Sequence, residues 1–323
     1  MSNPRILCLG EILFDLLADQ IGRSLDLVES WTPYPGGAPA NVACALTKLG
    51  STSEFIGCVG EDEPGNQLVQ VLQTSKVDIS GVQRHKTAPT RQVYVVRTAT
   101  GDRIFAGFGS QDTTEFADTK LQAELLPEKL FAEADFLVLG TIALAYPQSN
   151  KSVYRALQLA EQYDVKVVLD INWRPVFWHQ DIDTARQIIQ KIFNKIDFLK
   201  LASEEAQLLF NTTDPGAINH RVGTLEGVVI TDGENGCSYC LSENEGKLPA
   251  FSVPVVDTTG AGDSFVAGFV HQLSQLGISN LRDPEMAKKV VTYASAAGAL
   301  TTLKPGAIAS QPTAAEIEAF LGY

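Results

Sequence analysis

Short apolar runs alternate with amphipathic ones along nearly the whole 323-residue chain, and that rhythm leaves few folds open. Runs of strand type fall at residues 6–9, 54–59, 136–139, 165–169, 198–201, 227–230 and 238–241. Helical patterns lie between and after them, at 41–49, 65–73, 149–163, 184–193, 204–210, 263–276, 285–303 and 314–320. Alternation of this kind predicts right-handed βαβ units in an α/β fold with a doubly wound, mostly parallel sheet and helices on both faces. Two stretches break the rhythm. Residues 12–34 hold extended pieces without a good helix. Residues 90–108 read as a hairpin with arms 91–97 and 103–106 joined around Thr100-Gly101-Asp102. The predicted division is a large α/β domain (1–11, 35–89 and 109–323) and a small β lid (12–34 and 90–108). Such a lid would lie over the carboxyl ends of the strands, where ligands bind in this architecture; two plain surface excursions would also fit the pattern.

The most informative motif is Asp257-Thr258-Thr259-Gly260-Ala261-Gly262-Asp263-Ser264-Phe265. Phe265, Val266, Phe269, Val270, Leu273 and Leu276 recur at helical spacing, so a helix begins near Asp263. Gly260, Ala261 and Gly262 then form the turn into it, where backbone amides have no intrahelical partner and attract anions. A site for a resting phosphate would not place a carboxylate there. A site that deprotonates a hydroxyl beside a phosphate would. The second motif, Gly36-Gly37-Ala38-Pro39-Ala40-Asn41, opens another helix. Glycines there allow close approach to backbone, Pro39 is tolerated in a first turn, and Asn41 offers both a donor and an acceptor, as sugar hydroxyls require. Taken alone, this motif is also a plain turn. The chain has neither a G-x-x-x-x-G-K-[ST] loop nor a well-placed G-x-G-x-x-G, which counts against P-loop enzymes and dinucleotide oxidoreductases.

A net charge of −13 without a basic patch makes nucleic acid and anionic membrane poor partners. No run approaches the ~18 apolar residues of a membrane span. Cys8, Cys44, Cys58, Cys237 and Cys240 are scattered, and with no signal peptide they read as reduced thiols of a cytoplasmic protein. His85, His179, His220 and His271 are too dispersed for a metal cluster.

Gly36-Gly37-x-x-x-Asn41 and the 257–263 motif, in that order and at that separation, resemble the two signatures of the ribokinase/PfkB carbohydrate kinase family. The likeness runs from Gly10-Glu11-Ile12-Leu13-Phe14-Asp15 to the C-terminal helices. Gly10-Glu11…Asp15, Gly101-Asp102-Arg103-Ile104-Phe105 and Asp170-Ile171-Asn172-Trp173-Arg174 most resemble its fructokinases. The resemblance implies an ATP- and Mg²⁺-dependent sugar kinase. Asp263 matches the general base, and Gly260, Ala261 and Gly262 match the anion hole. Asp15, Gly36, Gly37 and Asn41 match sugar contacts, and Arg174 would face phosphates or sugar. Asn172 and Glu205 match residues that organise Mg²⁺ and its waters. Thr231, Gly233 and Gly236 match the nucleotide segment, and Ala294 and Ala297 would leave room for adenine. Asp257, Thr259, Thr302, Ala307 and Ser310 align with a monovalent-cation (K⁺) site.

Plainer explanations exist for several of these residues. Asp15 could be a buried structural acid, Glu205 a solvated helix charge and Arg174 a surface arginine. The 231–236 segment would pass for an ordinary hairpin turn, and the alanines for close helix packing. The chain also departs from the family. Ala202 replaces the asparagine of an Asn-x-x-Glu pattern, and the lid run 105–110 lacks an arginine found in many fructokinases. That departure leaves sugar specificity open. A carboxylate-bearing substrate would want a paired cation, which the lid run does not supply, so fructose, a neutral sugar, is expected over 2-keto-3-deoxygluconate. Phosphorylation of ribose or of a nucleoside, and a catalytically silent scaffold, also stay open. Exposed lid strands would allow a homodimer, and monomers are equally compatible.

Overall fold

The computed structural model describes residues 4–98, 103–109 and 111–322. The strands are β1 (Arg5–Leu9), β2 (Leu13–Ala18), β3 (Trp31–Gly36), β4 (Thr52–Gly60), β5 (Asp78–His85), β6 (Gln92–Arg97), β7 (Arg103–Gly107), β8 (Phe136–Leu139), β9 (Lys166–Asp170), β10 (Phe198–Ala202), β11 (Gly227–Thr231), β12 (Cys237–Leu241) and β13 (Asn244–Leu248). The helices are α1 (Ala38–Lys48), α2 (Glu63–Thr74), α3 (Glu128–Ala132), α4 (Pro147–Tyr163), α5 (Ile182–Gln190), α6 (Ser203–Phe210), α7 (Pro215–Val222), α8 (Ala261–Leu276), α9 (Pro284–Thr301), α10 (Ala307–Ser310) and α11 (Ala314–Leu321).

The main sheet has nine strands in the order β13-β12-β11-β10-β9-β8-β1-β4-β5. It is parallel from β5 to β11, and an antiparallel pair, β12 and β13, closes one edge. Its central strands are apolar on both faces because both are covered. Leu7 and Leu9 point into one buried cluster with α4–α7, and Ile6 and Cys8 into another with α1, α2, α8 and α9. The chain leaves β1 toward β4 and β5, then returns to build outward from β8. The order therefore reverses between β1 and β8, and the carboxyl ends there are where such sheets bind ligands.

Strands from the two predicted lid stretches form a separate sheet in the order β3-β2-β6-β7. Pairs β2·β3 and β6·β7 are antiparallel, whereas β2·β6 is parallel. The hairpin tip Thr100-Gly101-Asp102 lies outside the described residues, as does Ser110 of the lid run. Some elements were not expected from the sequence. Strands β5 and β13 are sheet edges whose half-exposed faces carry polar residues such as Ser80, Arg84, Glu245 and Lys247, so no apolar run marks them. Helix α7 is only eight residues long and is fixed by a local cap, Asp214 accepting from the Ala217 amide at 3.1 Å. All five cysteines are free and buried.

Candidate active site

The carboxyl ends of β1, β9 and β10 and the N-termini of α1 and α8 converge on Asp263. Helix α8 starts from Gly260, whose φ of 79° provides the left-handed turn that aims its first turn at the cleft. The Ala261 amide donates to the Thr258 carbonyl at 3.2 Å. Among the described residues the amides of Gly260, Gly262 and Asp263 have no acceptor. Expectation and structure therefore differ at Ala261, whose amide is already engaged.

Asp263 is half-buried. Asn41 Nδ2, from the first turn of α1, donates to its Oδ2 at 2.7 Å, and among the described residues no group donates to its Oδ1. Burial pushes its carboxyl above the usual range; Asn41, Lys200 and Arg174 oppose the rise, and Asp15 adds to it. Asn41 is itself fixed through its backbone, since Gln311 Nε2 donates to the Asn41 carbonyl at 2.8 Å.

Asp15 lies beside the Gly36-Gly37 turn. A Cβ added at Gly36 would sit 2.9 Å from Asp15 Oδ2. Gly37 has φ 102°, and a Cβ there would lie 2.5 Å from the Glu11 carbonyl oxygen. Glu11, buried at the end of β1, accepts from the Ala38 amide at 3.0 Å and so holds the start of α1. Burial is the main reason its carboxyl is pushed up to about 7, with Asp118 and Asp263 adding to it.

Beyond β9, Asn172 takes φ 41° in a sharp turn, followed by an exposed Arg174. Glu205 staples that turn to the next element: its Oε1 accepts from the Trp173 amide at 2.5 Å and its Oε2 from the Ala202 amide at 2.7 Å. It is a buried backbone clamp here rather than a solvated charge. Thr231, Gly233 and Gly236 form the turn from β11 to β12 at the same end of the sheet, closed by Asp232 N to Gly236 O at 2.8 Å.

The residues expected near a monovalent cation come together. Asp257 Oδ1 accepts from the Thr259 amide and hydroxyl, and its Oδ2 from the Gly306 amide. The amides of Val256 and Asp257 share the Thr302 carbonyl, and Ser310 Oγ donates to the Gly306 and Ala307 carbonyls. Ala294 and Ala297 are buried in the α8–α9 contact. A Cβ on Gly268 would lie 3.1 Å from each of them, so their small size serves helix packing.

Three features went unread in the sequence. Lys200 and Asp170 form an ion pair at 3.0 Å among buried groups, and a charged residue inside the apolar run Phe198-Leu199-Lys200-Leu201 was the available signal. Burial works against the Lys200 ammonium, but Asp170, Glu205 and Asp263 outweigh it and hold the group protonated. Glu11 carried no role in the sequence reading. Arg91, at the foot of β6, is 1% exposed. Its Nε meets Asp118 at 2.8 Å, its Nη1 meets Thr113 Oγ1 at 2.8 Å, and the Phe116 ring lies 4.5 Å away.

The fold and this constellation define an enzyme that transfers a phosphoryl group to a hydroxyl. The chain matches the pfkB family carbohydrate kinases over residues 3–314 and belongs to that family. It is similar to "Probable fructokinase-5" of Arabidopsis thaliana, 34% identical over 320 residues, covering 98% of this chain and 97% of that protein. Among solved structures, it superposes on fructokinase with bound ATP from Xylella fastidiosa, with a TM-score of 0.89, 27% identity and 99% of each chain covered. It also superposes on a fructokinase double mutant from Vibrio cholerae O395 in fructose, ADP and potassium ion bound form. There the TM-score is 0.83, with 26% identity and 99% of this chain and 100% of that one covered. The protein is a sugar kinase.

Proposed function

We propose that the protein phosphorylates D-fructose with ATP, giving D-fructose 6-phosphate and ADP. The observation that carries this reading is the half-buried Asp263 carboxylate at a helix N-terminus with unpaired amides, oriented by Asn41 at 2.7 Å. Asp15, Asn41 and the backbone at Gly36 and Gly37 hold the sugar so that its primary hydroxyl meets Asp263 Oδ1. Asp263 takes the hydroxyl proton, the oxygen attacks the γ-phosphorus, and the bond to the bridging oxygen of ADP breaks. A base raised by burial is the stronger proton acceptor, provided it remains ionised at working pH. The amides of Gly260, Gly262 and Asp263 stabilise charge on the phosphoryl oxygens.

The turn at Thr231, Gly233 and Gly236 faces the nucleotide, with Arg174 near its phosphates. Mg²⁺ neutralises phosphate charge when bound. Because both Glu205 oxygens already accept backbone amides, Glu205 and Asn172 would serve it through ordered waters. K⁺ would be held near Asp257, Thr259, Thr302, Ala307 and Ser310 by backbone carbonyls, since the Asp257 carboxylate is engaged by backbone amides. Fructose is favoured over an acidic sugar because Arg91, the cation buried beside Phe108, is engaged by Asp118 and Thr113.

The small sheet is proposed as the lid and as a dimer face in a cytoplasmic protein. It and its connecting loop expose Ile21, Leu27, Tyr34, Ile104 and Phe105. Among the described residues no helix is long and apolar enough to cross a membrane. A panel of fructose, ribose, glucose and 2-keto-3-deoxygluconate with ATP, read by ADP release, tests the substrate. Fructose should give the highest kcat/KM, and preference for another member would overturn the assignment.

A further inference from the structure

That mechanism gives one buried cation no task. Lys200, at 8% exposure, interrupts an otherwise apolar strand. Among the described residues Asp170 is the only carboxylate within ion-pair distance of its Nζ. A Cβ placed on Gly262 would lie 3.4 Å from that Nζ, its one neighbour within 4 Å among the described residues beyond its chain neighbours and the helix's own backbone. The ammonium therefore faces the first turn of α8, one residue before Asp263.

Considered as structure alone, the strand has no evident need of a charged residue here. A buried ammonium loses its hydration shell, a cost that Asp170 at 3.0 Å, together with Glu205 and Asp263, offsets. The N-terminus of α8 also presents the positive end of a helix dipole and unpaired amides, which repel a cation. An anion seated in the turn would add a further partner to the carboxylates that already favour the ammonium. We propose that Lys200, docked on Asp170 beneath Gly262, is the fixed cation of the phosphoryl-transfer site: a positioning residue that keeps Asp263 ionised and offsets the negative charge gathered at residues 260–262. This rests on the general-base reading of Asp263. The charged groups felt by Asp263 are Asp15, Glu11 and Asp170, which oppose its ionisation, and Lys200 and Arg174, which favour it. Arg174 is exposed and screened by solvent, so the buried Lys200 carries most of the effect.

Lys200→Met alone strands Asp170, so the deciding variant is Asp170→Asn/Lys200→Met, which leaves no buried charge unpaired. It should keep the parental melting curve and sugar KM. Its kcat should fall about 10²- to 10³-fold, in the range of losing one preorganised electrostatic contact. The acid limb of kcat/KM against pH should move to higher pH, by less than loss of Lys200 alone would give, because Asp170, which opposes Asp263 ionisation, leaves with it. A double variant with parental kcat and an unmoved acid limb would show that the pair is structural and overturn the proposal. Asp263→Asn, assayed alongside, separates the two ideas. Parental turnover there removes the general-base reading itself. Loss there beside a fully active double variant removes only the role of Lys200.

Discussion

Gly36 and Gly37 are adjacent, yet the structure gives them opposite failure modes. At Gly37 a methyl group would meet backbone atoms, the Glu11 carbonyl oxygen at 2.5 Å and Ile12 Cα at 2.9 Å, which cannot move aside. The φ of 102° adds strain for any residue with a Cβ. Such strain costs on the order of 1–3 kcal/mol, and overpacking of this kind a further ~1–3 kcal/mol. Gly37→Ala should therefore lose roughly 2–6 kcal/mol, a large share of the ~5–15 kcal/mol that holds a typical protein folded. Its melting temperature should drop on the order of 10 °C. At Gly36 the methyl group would meet Asp15 Oδ2 at 2.9 Å, the end of a side chain that can rotate away. Gly36→Ala should melt within a few degrees of the parent. Its KM for the sugar should rise roughly 10- to 100-fold, the equivalent of one charged hydrogen bond of ~1.5–3 kcal/mol. Calorimetry and initial rates on the two variants separate the effects. A Gly37→Ala protein as stable as the parent would refute the packing argument, and an unchanged KM in Gly36→Ala would refute the placement of Asp15 against the sugar.

Further outcomes are expected elsewhere. Glu205→Ala leaves the amides of Trp173 and Ala202 without acceptors and should cost about 2–4 kcal/mol in urea unfolding; it should also raise the KM for ATP, whereas Glu205→Gln, which retains one acceptor, should lose less. Glu11, pushed up to about 7 in the folded state, has an unfolded value near 4.3, so its contribution is fully present below about pH 4 and is lost as pH rises through 7. Glu11→Gln should accordingly melt a few degrees above the parent at pH 8, and the gap should close toward pH 4; a gap independent of pH would contradict the burial argument. If the lid pairs two copies, light scattering should give twice 34.9 kDa, and Leu27→Glu with Ile104→Glu should halve it.

The sheet was legible in the sequence because its central strands are buried on both faces and spell unbroken apolar runs. Its edges were not, since β5 and β13 show water a polar side. Asp263 and Asn41 were each legible from the turn and helix they open. What joins them is a hydrogen bond across 222 residues of chain, which no local pattern encodes; resemblance to the family brought them together. Glu205, Lys200 and Arg91 are burial facts. Each reads as an ordinary surface charge until the elements that bury it are packed, and only the apolar neighbours of Lys200 hinted otherwise. For Ala294 and Ala297, small size suits both an adenine and a helix contact, and the position of Gly268 places them in the helix contact.

The central claim is that the Asp263 carboxylate removes the proton from the accepting hydroxyl. Turnover of Asp263→Asn, measured under saturating sugar and ATP beside its melting curve and ATP affinity, tests it most directly. The expected result is a parental fold and ATP affinity with kcat lowered about 10²- to 10⁴-fold. A kcat above roughly a tenth of the parent's would contradict it, because so small a loss is below what removal of a positioned base produces.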